Sequence, residues 1–179
     1  MCFHDKSGQP FGIKSGHEDD INRLMEMYAQ FHPRGHYQGL PPLNLQSCLS
    51  WIEHLFKNGE NFLALRYGRI VGHAALLPDF TIRDGEYLVF IHQDHRGQGI
   101  GTFLTNCALE RAKHHSLANL WLTVEPHNFI AIRFYRKCGF HFCGQMDFKG
   151  ERKMILHLIK GLSLPAEASA QAGKIGPRR

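Results

Sequence analysis

The run His95-Arg96-Gly97-Gln98-Gly99-Ile100-Gly101 constrains this chain more than any other segment. It follows the apolar stretch Leu88-Val89-Phe90-Ile91, and it opens a segment where Ile100, Phe103, Leu104, Cys107, Ala108 and Ala112 recur at helical spacing. Strand, glycine-rich turn, helix is the geometry of an anion site. The glycines let the backbone approach a ligand, and the free N–H groups of the first helical turn point at it with the positive end of the helix dipole behind them. Spacing excludes two phosphate motifs. A Walker loop needs Lys-Ser or Lys-Thr after its second glycine, but Thr102-Phe103 follow Gly101. The dinucleotide fingerprint needs a further glycine at Thr102 or Leu104. What remains is Arg96-x-x-Gly99-x-Gly101, for which a ligand-free glycine turn is the competing reading.

The rest of the chain organises around that turn. Phe11–Ser15 reads as a short strand, and His17–Phe31 as an amphipathic helix with Ile21, Leu24, Met25 and Tyr28 on one face. His32–Pro42 is a Pro- and Gly-rich loop. Asn44 can cap a second helix that ends at Asn58-Gly59. Asn61–Tyr67 and Ile70–Leu77 flank Gly68-Arg69 as a hairpin, and Glu86–His92 is a strand whose unbroken apolar centre predicts burial on both faces. Leu120–Val124 is a buried strand, Asn128–Cys138 a short helix ended by Gly139, and Phe140–Met146 with Arg152–Ile159 a last hairpin around Lys149-Gly150. Residues 1–10 and 160–179 lack periodicity and are expected to be a flexible N-terminus and a disordered basic tail around one domain, 11–159.

Two linked motifs carry a resemblance. Arg96-x-x-Gly99-x-Gly101 is similar to the acetyl-CoA pyrophosphate loop of the GNAT-type N-acetyltransferase superfamily. About thirty residues later, Leu120–Val124 leads into Asn128-Phe129-x-Ala131-x-x-Phe134-Tyr135-x-x-x-Gly139-Phe140, which resembles the family's second signature. Asn128, Ala131 and Tyr135 stand at i, i+3 and i+7 and so share one helix face. The resemblance implies an α/β (α+β) acyl-CoA fold: about four helices on a mixed, mostly antiparallel sheet of six to seven strands, the fourth and fifth splayed around the pantetheine arm. It also implies that backbone groups of Val89, Phe90 and Ile91 pair with the pantetheine and acetyl group. Arg96, Gly97, Gln98, Gly99, Ile100, Gly101 and Thr102 then take the pyrophosphate, with Asn128, Ala131 and Tyr135 lining the cofactor.

Acyl transfer from a thioester to an amine needs a neutral amine, a polarised carbonyl and a proton for the departing thiolate. Tyr135 is the candidate acid, since a phenol stays protonated at neutral pH. A backbone N–H near Phe90 is the candidate for polarising the carbonyl. Glu86, where some family members carry a catalytic glutamate, is the candidate base, against the reading of a solvent-facing strand-end carboxylate; His92 ranks behind it. The expected activity is acetyl transfer from acetyl-CoA, as acyl-donor substrate, to a primary amine. A non-catalytic acyl-CoA-binding or regulatory module of the same fold is the alternative. The acceptor is expected between the His32–Pro42 loop and the last hairpin, and the lack of a strongly acidic loop argues against polyamines.

Composition narrows the partners. At 179 residues, 43% hydrophobic and 21% charged, the chain has apolar material for one core. Its apolar runs are far shorter than a bilayer span, the N-terminus shows no basic leader or apolar signal core, and the five cysteines form no C-x-x-C pair. A cytoplasmic protein with reduced thiols and no membrane partner is expected. Thirteen histidines offer only His92-x-x-His95 as a ligand pair, so no metal is expected, and no G-x-S-x-G elbow supports a hydrolase. Trp51 and Trp121 read as core. Of the formal charge of +5, residues 160–179 carry +3 and Arg96–Lys137 carry +4, leaving −2 elsewhere. The excess surrounds the glycine turn, which favours a CoA site over nucleic acid. A homodimer stays open.

Overall fold

Tyr67 and Gly68 both have positive φ, 49° and 76°, the pattern of a two-residue hairpin turn whose twist matches the strands it joins. They join β3 (Glu60–Arg66) to β4 (Arg69–Asp79) in the middle of the molecule. The structure, a computed structural model, describes residues 2–32, 40–144 and 150–158. The remaining strands are β1 (Cys2–His4), β2 (Pro10–Ser15), β5 (Asp84–Ile91), β6 (Asn119–Val124), β7 (His141–Phe142) and β8 (Arg152–His157). The helices are α1 (Ile21–Ala29), α2 (Leu45–Asn58), α3 (Ile100–His114) and α4 (Phe129–Lys137). Among the described residues the strands form one sheet in the order β1-β2-β3-β4-β5-β6-β8-β7. Every pairing is antiparallel except β5 with β6, which the crossover through α3 makes parallel.

The sheet therefore has eight strands where six or seven were expected. The addition is β1, within the ten residues expected to be flexible. Phe3 is the physical reason: its ring packs on Phe103 of α3 at 4.9 Å and on Phe11 of β2 at 5.8 Å between centroids, giving the segment its own apolar anchor. At the other end β7 is only two residues long, and the turn expected at Lys149 lies outside the described residues, as do 33–39 of the proposed acceptor loop and the tail from 159.

Alternation along the central strands sends side chains to two clusters. Tyr87, Val89 and Ile91 of β5 join Phe62, Ala64, Ala74 and Leu76 beneath α3 and α4. Leu88 and Phe90 join Leu24, Tyr28, Cys48, Ile52 and Leu63 beneath α1 and α2. Both faces of β5 are covered, as its apolar centre predicts. Asn44 caps α2, its side chain accepting from the Ser47 N–H at 3.1 Å.

The β5–β6 pairing stops early. Asp84, Gly85 and Glu86 pair with Asn119, Leu120 and Trp121, and no pair follows. Asn119 clamps the closed end, donating to Asp84 Oδ1 at 2.7 Å and sharing a 2.6 Å hydrogen bond with His157 Nδ1 of β8. Beyond Glu86, the β6-facing edge of residues 87–91 has no strand partner among the described residues. This is the V-shaped gap that the resemblance implies between the fourth and fifth strands counted from Phe11–Ser15.

A buried polar chain fixes the α1 side of the sheet. Asn61 Nδ2 donates to the Leu55 carbonyl at 3.1 Å, so its oxygen faces His73 Nε2 at 2.9 Å, and His73 Nδ1 accepts from the Tyr28 hydroxyl at 2.8 Å. The network requires neutral His73 with its proton on Nε2. Burial lowers its pKa from 6.5 to about 3. Between these values the unfolded chain binds a proton that the folded chain does not, so stability falls as pH falls. The expected outcome is a urea midpoint that drops below pH 6.5, with a slope approaching ~1.4 kcal/mol per pH unit. His73→Gln, measured over the same range, should flatten that slope while lowering stability at neutral pH.

Candidate functional site

The glycine turn forms as its residue types dictate. Gly97 and Gly99 have φ of 75° and 93°, a left-handed backbone that costs other L-residues about 1–2 kcal/mol. Gly99 is the N-cap of α3 and has no side chain with which to close the helix end. Among the described residues, no acceptor is paired with the N–H groups of residues 97–101. They are free donors at and just before a helix N-terminus, suited to a phosphate. The loop is held from below by Arg66 of β3, which donates to Gln98 Oε1 at 2.7 Å and to Asp5 Oδ2 at 2.5 Å.

Tyr135 is placed by the end of its own helix. Gly139, at φ 97°, turns the chain so that its N–H reaches the Arg136 carbonyl at 3.0 Å and the Phe140 N–H reaches the Tyr135 carbonyl at 3.0 Å. That pair of bonds is a Schellman motif, and the expected apolar contact accompanies it: the Phe140 ring meets Tyr135 edge-on at 5.9 Å. Phe140 in turn stacks on Tyr87 of β5, whose hydroxyl bonds Thr105 Oγ1 at 2.8 Å. The Gly139-Phe140 pair thus locks Tyr135 to the strand beside the gap. Burial pushes the Tyr135 phenol well above its ordinary pKa of 10.0, which keeps its proton on. Tyr135, Ala131 and Asn128 line one cleft with Leu40, Thr123, Val124 and Glu125, of about 30 Å³, room for a water-sized group. Asn128 also caps α4, its side chain accepting from the Ala131 N–H at 3.1 Å.

Glu86 stands where β5 and β6 part, on the sheet face shared with α2. Burial pushes its carboxyl above the ordinary range, against the opposing pull of His54 and Lys153. Trp121 is its partner across the pair, and the Lys153 ammonium lies 4.4 Å from the centre of the indole. Trp121 is half-buried and belongs to neither core cluster, which corrects the expectation that it is core. Trp51 does pack against the α1–α2 cluster.

Two expected site residues are engaged elsewhere. Arg96 stands at the loop, but its guanidinium donates to the carbonyls of Ile91, at 3.0 Å, and His32, and lies over the Phe31 ring at 5.1 Å. It ties the loop to the end of β5 and to the segment after α1. His92 faces Asp94 and Gln93 within the turn and is not among the residues that line the Tyr135 cleft. Val89 and Ile91 turn their backbone groups toward the gap, where the Ile91 carbonyl accepts from Arg96, while Phe90 is paired with His73 of β4. Ile100, Gly101 and Thr102 form the first turn of α3. Asp5, Arg66, His54 and Lys153 were not singled out by sequence spacing. Arg66 and Lys153 are placed by strand pairing, Asp5 by the turn between β1 and β2, and His54 by the packing of α2 on the sheet.

The described residues contain no group of three or more His, Cys, Asp or Glu arranged to hold a metal ion, and no helix long and apolar enough to cross a membrane. The model of the Acetyltransferase (GNAT) family matches residues 21–140, more than half of the chain. The chain belongs to that family. Its activity is acetyl-CoA-dependent N-acetyl transfer. The L-methionine sulfoximine/L-methionine sulfone acetyltransferase of Pseudomonas aeruginosa is 27% identical over 118 residues, covering 62% of this chain and 68% of that enzyme. An uncharacterized N-acetyltransferase of Methanocaldococcus jannaschii is 46% identical over 143 residues, 73% of this chain and 60% of that protein. The spermine/spermidine N(1)-acetyltransferase of Bacillus subtilis is 31% identical over 70 residues, and the match spans only 46% of its length. Among solved structures, yncA of Salmonella typhimurium with its cofactor acetyl-CoA superimposes with a TM-score of 0.69 at 20% identity, over 87% of this chain and 98% of that one. The GNAT domain of S. lividans PAT gives 0.72 at 15% identity, over 88% and 96%. At such identities the likeness is one of fold.

Gly139→Ala tests the placement of Tyr135. An added Cβ meets Leu156 Cδ1 at 3.1 Å in a left-handed backbone, so thermal or urea unfolding should show a loss of about 1–2 kcal/mol. Turnover should fall further than that of an equally destabilising substitution remote from α4.

Proposed function

We propose that the chain acetylates a primary amine by direct transfer, with Glu86 as base and Tyr135 as acid. The observation that carries this reading is the parting of β5 from β6 at Glu86–Trp121. It leaves a strand edge without a strand partner between a carboxylate on one side of the sheet and a buried phenol on the other. Pantetheine contains two amides, so an extended pantetheine can add to that edge as a strand would. The polyphosphate of the same molecule then meets the row of N–H donors from Gly97 to Gly101.

In this scheme the acceptor arrives as an ammonium and loses a proton to Glu86, directly or through a water. Its nitrogen attacks the thioester carbon, a C–N bond forms, and a backbone N–H on the edge near Phe90 stabilises the oxyanion. The C–S bond then breaks, and the sulfur takes the Tyr135 hydroxyl proton. A high phenol pKa does not prevent this, because the same desolvation raises the pKa of the departing thiol. The nitrogen still holds a second proton that the amide must lose. It returns through water in the cleft at Leu40 and Glu125 to the Tyr135 phenolate, and Glu86 releases the first proton to solvent, so one proton is freed per turnover.

The acceptor side supports a compact monoamine over a polyamine. Lys153 places a cation beside Trp121 and near Glu86, and a second positive charge on the acceptor would be repelled there. A cytoplasmic location fits the use of acetyl-CoA and the five cysteines, all of them free thiols.

Release of CoA from acetyl-CoA across a panel of primary amines tests the reading, and no release above background with any of them would overturn it. Tyr135→Phe should lower turnover about 100-fold while CoA affinity stays within about twofold. Glu86→Gln should give a comparable loss and should remove the acidic limb of the pH–rate profile, since the base must be ionised. A carboxyl whose folded pKa is raised contributes stability at low pH that is lost as pH rises through that value. The same Gln variant should therefore melt higher than wild type at neutral pH.

A further inference from the structure

The hairpin of β1 and β2 lies before the residues that the family model matches, which begin at 21. It nevertheless reaches the phosphate loop. The Lys6 N–H donates to the Gln98 carbonyl at 3.0 Å, inside the glycine turn. A Cβ placed on Gly99 would lie 3.5 Å from Lys6 Cγ and 3.7 Å from Lys6 Cε, so the lysine stem runs across the face of that glycine. The hairpin turn that presents Lys6 is rigidly built. The Asp5 carboxylate accepts from the Ser7 hydroxyl at 2.7 Å, the Ser7 N–H at 2.8 Å and the Gln9 N–H at 2.9 Å, and it pairs with buried Arg66. The Phe3 ring on Phe103 holds the preceding strand against α3.

The charges near the loop show what Lys6 adds. Arg96 turns its guanidinium to the Ile91 and His32 carbonyls, and Arg66 is neutralised by Asp5. Lys6 is exposed, and its ammonium forms no ion pair among the described residues. A row of N–H dipoles offers only partial charge to a polyphosphate, whereas an ammonium beside it offers a full one.

We infer that Lys6, carried by a hairpin turn that precedes the residues the family model matches, is a phosphate ligand for the CoA moiety of the acyl donor. This rests on the acetyl-CoA reading of the loop. The ligand chemistry is a phosphate ester or anhydride, and CoA carries both: the pyrophosphate and the 3′-phosphate. Gln98, Arg66 and Asp5 act as positioning residues that hold the hairpin turn at the loop.

Calorimetric titration of the full chain with CoA and with 3′-dephospho-CoA tests this. Lys6→Ala should raise the CoA Kd about threefold and Lys6→Glu about tenfold, with Lys6→Arg close to wild type. An equal loss with both ligands assigns Lys6 to the pyrophosphate, and a loss confined to CoA assigns it to the 3′-phosphate. A Kd within twofold of wild type for both ligands in Lys6→Glu overturns the inference. So does a weakening that Lys6→Arg shares and that follows a lowered melting temperature, because packing would then be the cause. If the wild-type chain binds neither ligand, the acetyl-CoA reading itself has failed, a result separate from either of these.

Discussion

The parallel pairing of β5 with β6 ends after three residue pairs, and each strand is then held only by its outer neighbour. β5 stays paired with β4 through Ile91, and β6 with β8 through Val124. Parallel ladders are the weaker kind, and here the ladder survives only where side chains clamp it, through Asp84, Asn119 and His157. An unpaired backbone edge in the middle of a sheet leaves its amides and carbonyls without strand partners. In the proposed reading, a ligand of matching hydrogen-bonding pattern completes the ladder there. The clamp marks the closed end of the ladder, and the core shared beneath α3 and α4 joins the two halves of the sheet beyond it.

Around the opening, the residues that matter are held by backbone devices more than by one another. The Gly139 turn fixes Tyr135, and the left-handed Gly97 and Gly99 fix the donor row. On the opposite face, His73 bridges Tyr28 and Asn61 and so ties α1 and the end of α2 to β4. That neutral chain sits directly under Phe90, whose ring is edge-on to Tyr28 at 5.8 Å. The strand expected to carry the acetyl group is thus braced from both sides.

Much of this was legible in the residues themselves. Gly97 and Gly99 after an apolar run, and Gly139 after Tyr135, are local requirements, because a left-handed φ admits few residue types. The capping role of Asn44 was also legible, whereas that of Asn128, read as the first residue of its helix, was not. What escaped is what depends on distant partners. Phe3 looks like an isolated apolar residue in a polar leader until β2 and α3 bring Phe11 and Phe103 beside it. Arg96 lies within a phosphate motif, yet its guanidinium finds the Ile91 and His32 carbonyls, a choice that no spacing rule contains. Trp121 looked like core because it sits in an apolar strand, but the open β5–β6 face leaves it half exposed under Lys153.

The two helices at the site are used at opposite poles. The donor row lies at the N-terminus of α3, where the summed peptide dipoles leave about half a positive charge. Tyr135 lies in the last turn of α4, close to the pole that carries about half a negative charge. A ligand running from one to the other therefore lies along a potential that falls from its polyphosphate end to its sulfur end. That field favours anions at the phosphates and disfavours an anion at the sulfur. On the proposed placement of the donor, its charge is held at one end, and at the other the neutral thiol is the favoured form of the leaving group.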